Sequence, residues 1–203
     1  MNKYNLIIFL LIMPFFCLAQ NWELKKNEDG IAVYTRKLNN ERYKEIKVLC
    51  EFKGTAARLT KILQDVDHHS DWVYNTKESH LVKRKNKDTL TYYSIATLPW
   101  PVSNRDFVVQ LSFIPDPENK VLKIRAQSVG GLVPDKPGLI RVPYCLGLWT
   151  VTTLSANRIK IEYTFSTNPG GAIPAWLVNF TATAGPFNSF KNLKRIMESK
   201  KAY

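Results

Sequence analysis

The spacing of hydrophobic positions changes several times along this chain, and each change marks an element. Residues 42–52 alternate, with Ile46, Val48, Cys50 and Phe52 on one side and Glu45, Lys47 and Glu51 on the other, the period of a strand with one wet face. Ile31 to Thr35 reads as the strand before it, entered through the Asp29-Gly30 turn and left through Asn39-Asn40. Trp22 to Gly30 reads as a short polar lead-in. From Thr55 to Val66 the period lengthens: Ala56, Leu59, Ile62, Leu63 and Val66 recur at three and four. That predicts a short amphipathic helix starting at Gly54-Thr55 and packing on the sheet. His68 to Trp72 follows as a solvated loop ending on an aromatic ring.

Further strands are predicted near 79–84, 88–97, 105–114, 120–128, 139–153 and 157–167, with Pro, Asp and Asn clusters at the turns. Hairpin spacing makes their sheet antiparallel. Gly130-Gly131 and Gly147 are expected as bulges or bends that curl it. The last element, 172 to about 198, carries Ile173, Leu177, Phe180, Ala184 and Phe187 at helical spacing, with Trp176, Phe190 and Met197 alongside. Its apolar face is broad and aromatic. Gly185-Pro186 should kink or divide this helix, because proline lacks the backbone donor and crowds the preceding turn.

These elements make an α+β fold, a curved antiparallel sheet with a long C-terminal helix across it. Periodicity leaves open whether the space between them is filled or hollow. Phe107, Tyr163 and Phe165 face inward with Tyr92, Ser94 and Thr150, a mixture that suits a small-molecule site and equally a core with peripheral hydroxyls.

The N-terminal residues add a destination. Lys3 precedes an apolar run from Leu6 to Phe16, and Cys17-Leu18-Ala19 supplies the small residues that signal peptidase accepts. The run is shorter than the roughly 20 residues a spanning helix needs, and Pro14 interrupts it. Residues 1–19 are therefore read as a removable signal peptide and 20–203 as one domain. The expected protein is exported: periplasmic in a diderm bacterium, otherwise secreted. Lipidation at Cys17 is disfavoured by the bulky Phe15-Phe16 before it.

Charge and candidate chemistry then narrow the function. A net charge of +12 would favour nucleic acid in a cytoplasmic protein, but export removes that partner. The densest basic cluster, Lys83-Arg84-Lys85 with Lys87, falls at an expected hairpin turn; transient contact with anionic lipid head groups is its functional alternative. Cys50 and Cys145 are read as free and buried, with one bridge as the alternative. His68, His69 and Asp71 form the one tight cluster of metal-ligating or proton-carrying types, without a third ligand at a characteristic spacing. No nucleophile motif or phosphate-cradling glycine pattern occurs. No cofactor and no metal is expected, and the protein is expected to be a monomer.

Leu98-Pro99-Trp100-Pro101-Val102-Ser103-Asn104-Arg105-Asp106-Phe107-Val108 resembles a core segment of START domains, the steroidogenic-acute-regulatory-related lipid-transfer family. Asp67 to Trp72, Asn168 to Leu177, Gly185-Pro186-Phe187 and Phe190 to Leu193 fit the same family in order, so the resemblance covers nearly the whole domain. It implies a helix-grip fold, a hydrophobic tunnel for one lipid or other apolar molecule, and a C-terminal helix acting as lid. On that basis the cavity candidates are Tyr92, Ser94, Trp100, Arg105, Phe107, Tyr163, Phe165, Trp176, Phe180 and Phe187. Arg105-Asp106 matches the family's Arg-Asp motif, whose role there is mainly structural, and a buried Arg105 should find a carboxylate or carbonyl partner. Sterol-carrying members can place an acid and a base in the tunnel; the corresponding Ser94 and Leu111 are uncharged. The expected protein is a binder rather than an enzyme. Two alternatives stand beside it: an aromatase/cyclase-like enzyme of the same fold using Tyr92, Tyr163 and Arg105, and an exported interaction module.

Overall fold

The computed structural model describes residues 21–38, 41–116, 120–174, 178–179 and 182–199. Ten strands form one sheet among them: β1 (Glu23–Glu28), β2 (Ile31–Lys37), β3 (Lys44–Lys53), β4 (Thr76–Asn86), β5 (Thr89–Ala96), β6 (Asn104–Asp116), β7 (Val121–Ser128), β8 (Leu139–Arg141), β9 (Tyr144–Ser155) and β10 (Arg158–Asn168). Their lateral order is β1-β2-β3-β10-β9-β7-β6-β5-β4, every neighbour antiparallel, and β8 adds to β6 in parallel. Helix α1 (Ala56–Gln64), a 3-10 helix (Val66–Asp71) and helix α2 (Ala184–Glu198) cover the curved sheet's inner face.

The clearest periodicities become the central elements. On β3 and β10 the apolar alternates meet across the ladder, Ile46 opposite Phe165, Val48 opposite Tyr163, Cys50 opposite Ile161 and Phe52 opposite Ile159. Thr55 caps α1, its hydroxyl accepting from the Arg58 amide at 3.1 Å, and Leu59, Ile62 and Leu63 are buried below. The expected division at Gly185-Pro186 is present: α2 starts at Ala184, so Pro186 sits in the first turn, where a helix amide has no intrahelical acceptor to lose. Phe187, Phe190, Leu193, Ile196 and Met197 are buried on its sheet side. At its other end the Arg58 guanidinium donates to the carbonyls of Ile196 (3.0 Å) and Ser199 (2.9 Å), satisfying acceptors that a helix terminus leaves open.

Several expectations are corrected. The lead-in is a strand: β1 pairs with β2 through the Asp29-Gly30 turn, both residues at positive φ (55° and 74°). It carries no alternation because it is an edge strand, and its one aliphatic residue, Leu24, is 52% exposed. The 139–153 strand is two, split at Val142-Pro143, with β8 turned to pair parallel with β6. Gly130-Gly131 lies in the loop after β7 rather than bending the sheet. The Asn39-Asn40 turn lies outside the described residues, as does the proposed leader.

That loop, 129–138, covers a second, outer core of Tyr93, Ile95 and Val108, against which Val129, Val133 and Leu139 pack. It is fastened by Arg141, which pairs with Asp106 and, at 3.6 Å, with Asp135 of the loop itself. The Arg141 guanidinium forks onto both oxygens of buried Asp106 (3.0 and 2.9 Å) and donates to the carbonyls of Val133 (3.1 Å) and Pro134 (3.2 Å). Cys50 and Cys145 are both buried and free.

The Gly170-Gly171 turn beyond β10 is left-handed at both residues, with φ of 67° and 62°. A Cβ on Gly170 would stand 3.1 Å from the Arg141 carbonyl oxygen, a backbone atom that cannot swing aside. Gly170→Ala is therefore expected to lower unfolding stability by about 1–2 kcal/mol, the cost of a left-handed non-glycine residue. Urea denaturation of this variant beside the unsubstituted protein checks the loss.

Candidate functional site

The inward rows of the sheet decide how much space is left beneath the helices. One row runs Val48, Tyr163, Trp149, Ile124, Phe113 across β3, β10, β9, β7 and β6, all large. The adjacent row runs Ile46, Phe165, Gly147, Ala126, Leu111, with its two smallest residues at the centre. Gly147 is not a bulge but a clearance: a Cβ there would meet Cε2 and Oη of Tyr163 at 3.2 Å. Small residues under a ring of large ones leave a hollow, because neighbours at close-packed density cannot collapse into it without leaving their rotamers.

The hollow is a cavity of about 300 Å³. Its floor and sides come from Tyr92, Ser94 and Ala96 on β5, Phe107, Val109 and Leu111 on β6, Ala126 on β7, Cys145 and Trp149 on β9, and Tyr163 and Phe165 on β10. Leu63 of α1, His69 and Trp72 around the 3-10 helix, and Pro186, Ser189 and Phe190 of α2 close it above. Phe190 is the chief contact of the roof, its ring 5.1 Å from Trp149 in a stacked arrangement and 5.3 Å from Tyr163. At the mouth, half-exposed Tyr74 donates its backbone N–H to Ser189 Oγ (3.0 Å), and Asn192 donates to the Trp72 carbonyl (3.3 Å). Two neutral hydrogen bonds thus hold the segment after the 3-10 helix against α2.

Of the residues expected at the cavity, Tyr92, Ser94, Phe107, Tyr163 and Phe165 line it. Trp100 does not: it stands 92% exposed in the loop between β5 and β6. Neither does Arg105, which sits past the end of the chamber and donates to three carbonyls, those of Ser103, Pro169 (3.2 Å) and Gly170 (3.1 Å). Carbonyls are thus the partners its burial demands, and burial lowers its pKa. Phe187 is buried under α2 with the solid core but is not part of the cavity lining, and the Lys26 ammonium stands 3.7 Å over its ring. Trp176 and Phe180 lie outside the described residues.

His69 is the main surprise. It belongs to no solvated loop: it is 4% exposed, its ring edge-on to Trp72 (5.2 Å) and Tyr92 (5.0 Å), and Nε2 donates to the Leu63 carbonyl at 3.1 Å. His68, one residue on the other side, is exposed and paired with Asp65 at 2.9 Å, which raises its pKa. The two imidazoles diverge, and among the described residues no group of three His, Cys, Asp or Glu could hold a metal ion. Burial drives the His69 pKa down to about 4, so the ring is neutral at physiological pH. Burial likewise pushes the Cys145 thiol up to about 11 and raises both cavity phenols, Tyr92 and Tyr163, well above the ordinary tyrosine range. Among the described residues lining the chamber there is no Asp, Glu, Lys or Arg.

A family model described as the START domain matches residues 18–202. This chain belongs to the START domain family. It is 30% identical over 184 residues to an uncharacterized protein, PA1579, of Pseudomonas aeruginosa, covering 90% of each chain. It is 27% identical to the phosphatidylcholine transfer protein of Mus musculus, covering 88% of this chain and 85% of that one. Among solved structures, the STAR-related lipid transfer protein fragment of Xanthomonas axonopodis superposes with a TM-score of 0.81 at 29% identity, covering 88% of this chain and 99% of that one. The START helix-grip fold is thus the one the strand periodicity and the motifs predict. Trp149, Trp72, His69 and Phe190 are its further cavity residues. Trp149 was within reach of the alternation along β9, whereas His69 and Trp72 sit in a 3-10 turn that has no period to read.

The buried imidazole makes a pH prediction. His69 takes up a proton near 6.5 when unfolded but only near 4 when folded, so the unfolded state binds more protons between these values. Its contribution is full above 6.5 and is lost as pH falls toward 4, by as much as roughly 3 kcal/mol. In chemical denaturation at pH 7 and pH 4.5, His69→Phe should lose clearly less stability on acidification than the unsubstituted protein. Parallel losses in the two would remove His69 as the cause.

Proposed function

We propose that this protein binds a lipid or other hydrophobic small molecule in the chamber between sheet and α2, and carries or presents it. The supporting observation is the chamber itself, about 300 Å³ walled chiefly by Trp72, Leu111, Trp149, Phe165 and Phe190, at the lower end of the range of about 300–1,000 Å³ for small-molecule sites. Burying a chain or ring body there supplies binding free energy at about 25 cal/mol per Å² of apolar surface. The related phosphatidylcholine transfer protein and the lipid transfer protein of Xanthomonas support the same reading. The mouth beside Tyr74 and Pro186 is the proposed entry, opened by parting the Tyr74–Ser189 and Asn192–Trp72 bonds. With the leader read at residues 1–19, the binding takes place outside the cytoplasm, and the +12 charge favours brief contact with anionic membrane surfaces.

Two observations weigh against turnover. Arg105, one of the three polar groups an aromatase/cyclase-like reading would use, is spent on backbone carbonyls outside the chamber. The other two, Tyr92 and Tyr163, are held protonated by burial and are poorly placed to act as bases at neutral pH.

Native mass spectrometry of protein purified without detergent should find a copurified apolar ligand at one per chain. Ala126→Phe fills the chamber floor and should cut that occupancy at least about tenfold, while unfolding stays cooperative. A protein that is empty before and after incubation with lipid would refute the proposal.

A further inference from the structure

The absence of formal charge around the chamber restricts its guest. Among the described residues, the polar groups on its wall are phenols, hydroxyls, a thiol and a neutral imidazole. An ionised phosphate or carboxylate would enter without a cation to meet it. The guanidinium nearest in sequence to the lining, Arg105, is occupied by three carbonyls. A buried ion without a partner costs several kcal/mol even after relaxation. The rings of Trp149, Tyr163 and Phe190 could attract a quaternary ammonium, but a phosphocholine would bring its phosphate with it, still uncompensated.

The neutral groups are better matched. Tyr92 and Tyr163 are half-buried and keep surface facing the chamber, and neither phenol has a hydrogen-bond partner among the described residues. They share the wall of the chamber with the Cys145 thiol. Each can donate one hydrogen bond and accept another, the complement of a hydroxyl or carbonyl oxygen. Ser94 on the same face adds a third such group.

We propose that the chamber selects a neutral lipid-like molecule bearing a hydroxyl or carbonyl group, recognised by Tyr92 and Tyr163, and discriminates against ionised head groups. This rests on the lipid-binding reading above and narrows it. The low imidazole pKa of His69 serves the same end, since a charged ring beside Tyr92 would reward an anion.

Three probes with one chain length separate the classes: dodecanol, kept below its solubility limit, and dodecanoate and dodecylphosphocholine, kept below their micellar concentrations, each titrated calorimetrically with purified, delipidated protein at neutral pH. Dodecanol should bind at least about tenfold more tightly than either charged probe. Tyr92→Phe and Tyr163→Phe, which keep the ring volume, should each weaken dodecanol about three- to tenfold without altering cooperative unfolding. Dodecanoate or dodecylphosphocholine binding as tightly as dodecanol would overturn the neutral-ligand assignment and leave lipid binding standing. Unchanged dodecanol affinity in both tyrosine variants would overturn the role of the phenols. Failure of all three probes would instead sink the lipid-binding reading, and this inference with it.

Discussion

The ring of Phe190 against Trp149 and Tyr163 is the contact on which the interior is organised. It holds α2 over the middle of the sheet, and aromatic pairs of this geometry contribute about 0.5–1.5 kcal/mol each beyond the area they bury. On one side of it, Phe52, Leu193 and Met197 fill the space between helix and strands. On the other, Gly147 and Ala126 are too small to reach the helices, and the chamber opens. Phe190 therefore stands at the boundary between a solid core and a hollow one. Arg58 fixes the far end of the same helix through the Ile196 and Ser199 carbonyls, so α2 is firmly held at its C-terminus and lightly held at the mouth.

Adjacent residues on a strand face opposite sides, and Arg105 and Asp106 show what that does to neighbouring charges. Arg105, on the side of the cavity residues Phe107 and Val109, is taken up by the Gly170 turn and its flanking carbonyls. Asp106, on the outer side, is taken up by Arg141 and through it secures the loop over Tyr93 and Val108. Both charges support the frame around the chamber and neither enters it. The motif is thus compatible with a chamber whose described lining carries no Asp, Glu, Lys or Arg.

The sequence was legible where one physical pattern governed a long stretch. β3, β10 and α1 follow from burial on one face, and the broken helix from the missing amide of Pro186. β1 was not legible, because an edge strand packed on one neighbour has no apolar alternation to display. The hollow was legible only through resemblance: a glycine and an alanine in register across two strands become a void only when the pairing that places Gly147 opposite Ala126 is known. Trp100 misled for a related reason, since an aromatic residue between prolines carries no period that assigns it to a face. His69 was hidden by its neighbours, polar in composition yet wound into a turn that buries one imidazole and exposes the next.

The two buried cysteines, Cys50 and Cys145, bear on where this fold can exist. Cys50 pairs across the ladder with Ile161, and Cys145 lies on the chamber wall, on different strands and in different parts of the core. Burial raises the pKa of both, so the thiolate that disulfide exchange requires is scarce at neutral pH. Nothing in the packing depends on joining or separating them. Among the described residues the fold therefore needs no disulfide, and Cys50 and Cys145 place no demand of their own on the redox potential of the compartment where the chain assembles.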